Sequence, residues 1–277
     1  MARRYVAGTE RAEALAVVRE LNGEGIVGTI DLLGEHAATE AEADEASREY
    51  EAILEELEHG GLRSGISVKL THLGLKLDRA RCERRLRRLV EIAASRGGFV
   101  RIDMEDSSCT DDTLDLYRRL RTETDAVGVV LQAYLRRSLA DARALVEGPT
   151  PSVRICKGIY REPREIAFHD AEAIRTNFLR ILDALVAGGA TVGIATHDER
   201  LAYECKRILE AREVPPERFE FQMLLGVDEE LRRILLAEGH RMRVYIPYGK
   251  EWHAYSLRRL RENPRIARYV LRAWMRG

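Results

Sequence analysis

The chain has 277 residues, of which 45% are hydrophobic, and a formal net charge of -1. That length suits one large domain, a single α/β barrel of roughly 250 residues being in range, with enough apolar side chains for a sizeable core. The balanced charge argues against a general nucleic-acid binder, and the absence of a long apolar run predicts neither a membrane span nor a secretory leader.

Along the chain, short apolar runs recur at residues 26–33, 66–73, 99–104, 127–135, 153–160, 191–196, 219–225 and 244–247. Each is closed by a turn signal and followed by a helical pattern. These patterns cover 37–59, 78–96, 111–123, 138–146, 164–187, 200–211, 229–237 and 252–261. Asp78, Asp111 and Ser138 mark helix starts, and the pairs Gly60–Gly61, Gly97–Gly98 and Gly188–Gly189 mark exits. The runs are dense in Val, Ile and Leu, which predicts strands covered on both faces. Strand–helix units repeated in this way predict a (βα)₈ barrel, one domain over 1–277 with its core in 26–262 and an extra helix over 264–275. Gly23, Gly25 and Gly28 spell GxGxxG, but the string leads into a strand instead of opening a helix, so it reads as a turn.

Charge is unevenly placed. Residues 35–58 hold ten acidic side chains against Arg48 alone, whereas 232–276 hold twelve basic against three acidic. In a closed barrel the first and last helices are neighbours, so opposite charges predict a modest attraction between them. Cys82, Cys109, Cys156 and Cys205 form no CxxC pair, and reduced thiols in a cytoplasmic setting are expected. Only five of the 45 basic residues are lysines, and two of them, Lys69 and Lys157, lie in strand-like runs.

Function in a barrel collects where strands end. Those ends offer Glu35, Lys69, Asp103 with Glu105, Gln132, Arg154 with Lys157, Thr196 with His197, Gln222 and Tyr245. So many polar groups need partners, and one large polar cofactor would supply them. Past the last run, Tyr255, Arg258, Arg259 and Glu262 share one side of a helix, which fits either a small-anion site or a solvated arginine-rich face. The histidines show neither HxH nor HExxH spacing, so no metal is expected. A Schiff-base lyase using Lys157 or Lys69 is the competing chemistry.

The segments SVKLTHLG (67–74), RIDMED (101–106), VLQAYL (130–135), VRICKGIY (153–160), ATHD (195–198), FEFQMLLG (219–226) and YSLRRLREN (255–263) together resemble the proline dehydrogenase family, in its small monofunctional bacterial type. The resemblance implies a distorted (βα)₈ barrel with FAD held noncovalently at the strand ends. It implies oxidation of L-proline to Δ1-pyrroline-5-carboxylate, with hydride passing to flavin N5 and electrons to a quinone. By motif position, Lys69, Arg258 and Arg259 hold the proline carboxylate, and Tyr245, Tyr255 and Leu224 pack its ring. Asp103, Met104, Gln132, Arg154, Cys156, Lys157, Gly158, Ile159, Thr196 and His197 surround the flavin. Arg154 supports the charge of the reduced ring, Asp103 is a candidate for the substrate's proton, and Glu35 closes the site by pairing with Arg258. Tyr245 favours proline over hydroxyproline, the alternative substrate. Quinone access implies peripheral contact at the inner face of a membrane, with the terminal helix 264–275 either making that contact or packing on the barrel. Ile159, Cys156, Arg161 and His72 depart from the family's usual residues.

Overall fold

The computed structural model describes residues 5–252. Within them the chain alternates as the apolar runs predict. Strands β1 (Val27–Leu32), β2 (Ser64–Val68), β3 (Val100–Ile102), β4 (Val127–Gln132), β5 (Ser152–Cys156), β6 (Thr191–Ala195), β7 (Phe219–Leu224) and β8 (Met242–Tyr248) lie side by side in sequence order. All pairs are parallel, and β8 returns to β1 through the register Thr29↔Tyr245 and Asp31↔Pro247, which closes the barrel. The helices are α1 (Arg11–Gly23), α2 (Glu40–His59), α3 (Arg79–Ser95), α4 (Thr110–Arg121), α5 (Ser138–Val146), α6 (Ala171–Ala187), α7 (Glu199–Ala211) and α8 (Glu229–Ala237). The helix expected over 252–261 falls, beyond Trp252, outside the described residues, as does the one expected over 264–275.

Helix α1 was not among the expected elements, although its signals are local. Glu10 and Glu13 form a reciprocal capping box, and Ala14, Leu15, Val18 and Leu21 bury one stripe against β1 and β8. Other boundaries moved for equally local reasons. The run 66–73 leaves the sheet after Val68, and Leu70 and Leu73 are buried beneath a turn that ends at Asp78, whose carboxylate caps α3. Helix α6 begins at Ala171 instead of residue 164 because Asp170 caps it, accepting from the Ala173 N–H at 2.8 Å. Pro247 lies within β8 rather than at a turn. Its carbonyl accepts from the Ala7 N–H, and the chain turns at Gly249, φ +126°.

The largest correction concerns the strand faces. One set of side chains is apolar and fully buried, as with Ile30, Ile66, Ile102, Val129, Ile155, Ile194, Phe221 and Ile246, and joins the helices in the main core. The alternate set is polar: Thr29, Asp31, Ser67, Arg101, Asp103, Gln132, Arg154, Glu220, Gln222, Arg243 and Tyr245. Several of these bond across to strands that are not neighbours, as Arg154 of β5 does to Ser67 of β2, so this set fills the barrel's interior. A sheet buried on both faces need not be apolar on both, provided the inward groups satisfy one another.

The acidic helix has ion-pair partners within the barrel, and its expected contact with the terminal helix lies outside the described residues. Among the described residues, α2 meets Arg85 of α3, which pairs with Glu40 and Asp44, and Arg96 just past its end, which pairs with Glu58, while Arg11 of α1 reaches Glu49 and Glu56. Sequence-adjacent helices in a barrel pack together, which places α2 against α3.

Candidate active site

At the C-terminal ends of the strands, Asp103 is the hub. Its Oδ1 accepts from the Ser67 hydroxyl at 2.7 Å and from Arg154 Nη1 at 2.8 Å. Its Oδ2 accepts from the Tyr245 hydroxyl at 2.8 Å, with Lys69 Nζ at 3.9 Å. The Arg154 guanidinium sits over the Tyr245 ring, 5.2 Å from its centroid, a cation–π contact. Three predicted site residues, Lys69, Arg154 and Tyr245, therefore meet at the carboxylate of a fourth.

Lys69 Nζ also donates to the fully buried Asp31 at 2.6 Å. Burial works against the ammonium charge, but the attraction of Asp31 and Asp103 outweighs it and raises the pKa above the ordinary lysine range. A Schiff-base nucleophile needs the neutral amine, so this environment opposes the lyase chemistry at Lys69. Lys157 is committed differently, in an ion pair of 2.6 Å with Asp198. Asp198 also accepts from Arg175 Nε and caps α7 at the Leu201 N–H. Burial alone would raise the Asp198 carboxyl, but Lys157, Arg175 and the cap hold it down at about 2.

The remaining predicted residues form two flanking groups. On one side Gln132 Nε2 donates to the Met104 carbonyl at 3.1 Å, leaving Oε1 buried without a partner among the described residues. On the other, the Leu224 N–H donates to His197 Nε2 at 3.2 Å, so that ring carries its proton on Nδ1. Thr196 Oγ1 accepts from the Asp198 N–H at 3.1 Å. Between the groups run Cys156, Lys157, Gly158 and Ile159. Gly158 holds φ +102°, and a Cβ there would fall 2.1 Å from the Tyr134 ring, so this loop can follow its path only with glycine.

Glu35 stands above the cluster, where its Oε1 accepts from the Tyr160 hydroxyl at 3.5 Å. Its segment is tied down by Thr71, whose carbonyl and hydroxyl accept from the Ala37 and His36 N–H groups. Thr71 in turn donates its own N–H and hydroxyl to the buried Glu105. His72 lies over Gly34, and burial, helped by Lys69, lowers its pKa to about 4. Tyr255, Arg258, Arg259 and the Glu35–Arg258 pairing lie outside the described residues.

Sequence reasoning did not single out Asp31, Ser67, Arg101, Tyr160, Glu220 or Arg243 as site residues. A usable signal was present in TID, SVK, RID, RIC, EFQ and RVY, where polar residues recur at every second position. The alternating Val, Ile and Phe residues masked it.

A closed parallel barrel with a carboxylate hub among its strands has the architecture of the (βα)₈ enzymes, a class whose chemistry collects at the strand C-terminal ends. The proline dehydrogenase family model matches residues 14–271, and the chain belongs to that family. Proline dehydrogenase 1 of Bacillus subtilis is 37% identical over 98% of this chain and 89% of its own length. Proline dehydrogenase of Deinococcus radiodurans is 38% identical over 100% of this chain and 91% of its own. Among solved structures, proline utilization A from Bdellovibrio bacteriovorus superimposes with a TM-score of 0.89 at 27% identity, over 94% of this chain but 32% of that longer one. Membership makes the chain an oxidoreductase of proline catabolism, in a family that depends on flavin. No helix among the described residues is long and apolar enough to cross a membrane.

Proposed function

We propose that this chain oxidises L-proline to Δ1-pyrroline-5-carboxylate with noncovalent FAD as its flavin and a quinone as the final electron acceptor. The observation that carries the reading is the convergence of Lys69, Arg154 and Tyr245 on Asp103, which concentrates cations and a phenol at the mouth of the barrel. When bound, the flavin supplies the hydride acceptor. The residues present suit such a group: Gln132 Oε1 is a buried acceptor and Arg154 Nη2 a donor, neither with a partner among the described residues, and His197 is oriented by the Leu224 N–H. Those three, with Asp103, Met104, Cys156, Lys157, Gly158, Ile159 and Thr196, would hold it.

Lys69 has donors to spare beyond Asp31 and, with Arg258 and Arg259, anchors the substrate carboxylate. Tyr245, Tyr255 and Leu224 confine the ring, so the work of the site is mainly orientation. Asp103 already accepts three hydrogen bonds, which suits it to organising cations more than to taking a proton. Tyr160 and Glu35 border the entrance, with Arg258 as the closing partner of Glu35. Contact with a quinone pool brings the chain to the inner face of a membrane as a peripheral protein, with 264–275 as the contacting segment.

An absorption spectrum of the purified chain, followed by anaerobic addition of L-proline, tests the reading. A yellow protein whose visible absorbance bleaches, releasing FAD and not FMN on denaturation, is the expected result. A colourless preparation that takes up no added flavin, or a flavin that proline leaves oxidised, would end it.

A further inference from the structure

Beneath the site, the interior polar residues form one directed chain. Arg243 grips Glu220 through Nε and Nη2, and its Nη1 donates to the Gly28 carbonyl at 2.8 Å. Glu220 Oε1 accepts from Gln222 Nε2 at 2.6 Å, and Gln222 Oε1 accepts from Arg154 Nε at 2.6 Å. The direction of this chain is forced at both ends. A guanidinium can only donate and an ionised carboxylate can only accept, so the Gln222 amide between them has one orientation. Burial works against the Glu220 charge, but the Arg243 fork outweighs it and keeps the carboxyl below its ordinary pKa. The space for the amide is also provided, because Gly193 of β6 faces it. A Cβ at Gly193 would come within 2.3 Å of Gln222 Nε2.

We propose that Glu220 and Gln222 are positioning residues, a relay two residues apart on β7 that sets the angle of the Arg154 guanidinium at the mouth of the barrel. Nε of Arg154 is held by Gln222, and Nη1 is held by Asp103 and Ser67, so the plane of the guanidinium is fixed at two points while Nη2 takes no partner among the described residues. Neither Glu220 nor Gln222 approaches the Asp103 hub directly; they act through Arg154. The inference rests on the flavin-dependent reading above, in which Arg154 serves the flavin.

Two variants test it from opposite directions. Gln222→Met removes both relay bonds at similar volume. Gly193→Ala leaves every polar group in place but drives a methyl into the amide, whose flexible end can yield without loss of the fold. In both, the flavin reduction potential, measured spectroelectrochemically, is expected to become more negative. kcat for proline is expected to fall about tenfold to a hundredfold, while KM stays within about twofold, since a misplaced positioning group costs rate on this scale. Wild-type protein measured alongside separates the two ideas: if it neither holds flavin nor bleaches with proline, the functional reading fails. If wild type performs and both variants keep its potential and kcat, the relay is overturned, whatever their Tm. Failure of both variants to fold would assign these residues to barrel stability and overturn it as well. Failure of Gln222→Met alone leaves Gly193→Ala to decide.

Discussion

Ile155 and Arg154 are neighbours on β5, both buried, yet they belong to different regions of the molecule. Ile155 faces the helices, within a continuous apolar shell. Arg154 faces the barrel's interior, within a network of carboxylates, amides and hydroxyls. In the shell, contacts are nondirectional, and stability follows the apolar area removed from water. In the interior, every group depends on a partner of the right kind at the right angle. Substitutions in the shell should therefore change how long the protein stays folded, and substitutions in the interior should change what it does. Lys69 is the test of that division, because it belongs to both accounts.

The largest expected effect is at Lys69. Lys69→Met leaves Asp31 and Asp103 without their shared ammonium, and breaking a buried pair on one side costs about 3–5 kcal/mol. Chemical denaturation should show this loss, and the double variant Lys69→Met with Asp31→Asn should recover most of it without recovering proline affinity. If the double variant binds proline as wild type does, Lys69 is structural only.

Next in size is Arg154→Met. It should lower kcat/KM for proline by about a hundredfold to a thousandfold, the scale seen when one preorganised electrostatic group is lost. Steady-state kinetics on flavin-saturated protein would reveal it, and a change under threefold would move Arg154 out of the chemistry. Its neighbour makes the contrast: Ile155→Val should cost about 0.5–1.5 kcal/mol of stability and leave kcat and KM alone. A kinetic effect from that single methyl would break the division between shell and interior.

The smallest effect concerns pH. His72 is neutral in the folded state down to about 4, below the value of roughly 6.5 for an unfolded histidine. Between these values the unfolded chain binds the proton and the folded one does not. His72 therefore contributes stability that is fully present above about pH 6.5 and is lost as pH falls towards about 4. His72→Gln should flatten that acid limb in unfolding measurements at pH 7 and pH 5. Equal slopes in variant and wild type would show that His72 does not titrate in this window.

The same division explains how much was legible in advance. Strand and helix alternation is written in local periodicity, so the barrel and its parallel order followed from the sequence, and α7 and α8 begin within one residue of expectation. The candidate residues at the strand ends were legible for the same reason: position along a strand implies position along the barrel axis. Boundaries set by a cap, such as Asp170 before α6, were misplaced because the apolar pattern ran on past them. The interior partners were harder. Asp31 and Lys69 are 38 residues apart and Arg154 and Gln222 are 68 apart, and only the closed sheet brings them together.

By itself, then, the sequence determined the alternation of strands and helices, their closure into a barrel, and the family. Each of these depends on periodicity or on short strings of neighbouring residues. Tertiary structure alone decided that Asp103 collects three strands' donors and that β7 supports Arg154 from below. Those facts depend on strand register and on ring closure, which set distances between side chains far apart along the chain and leave no local trace.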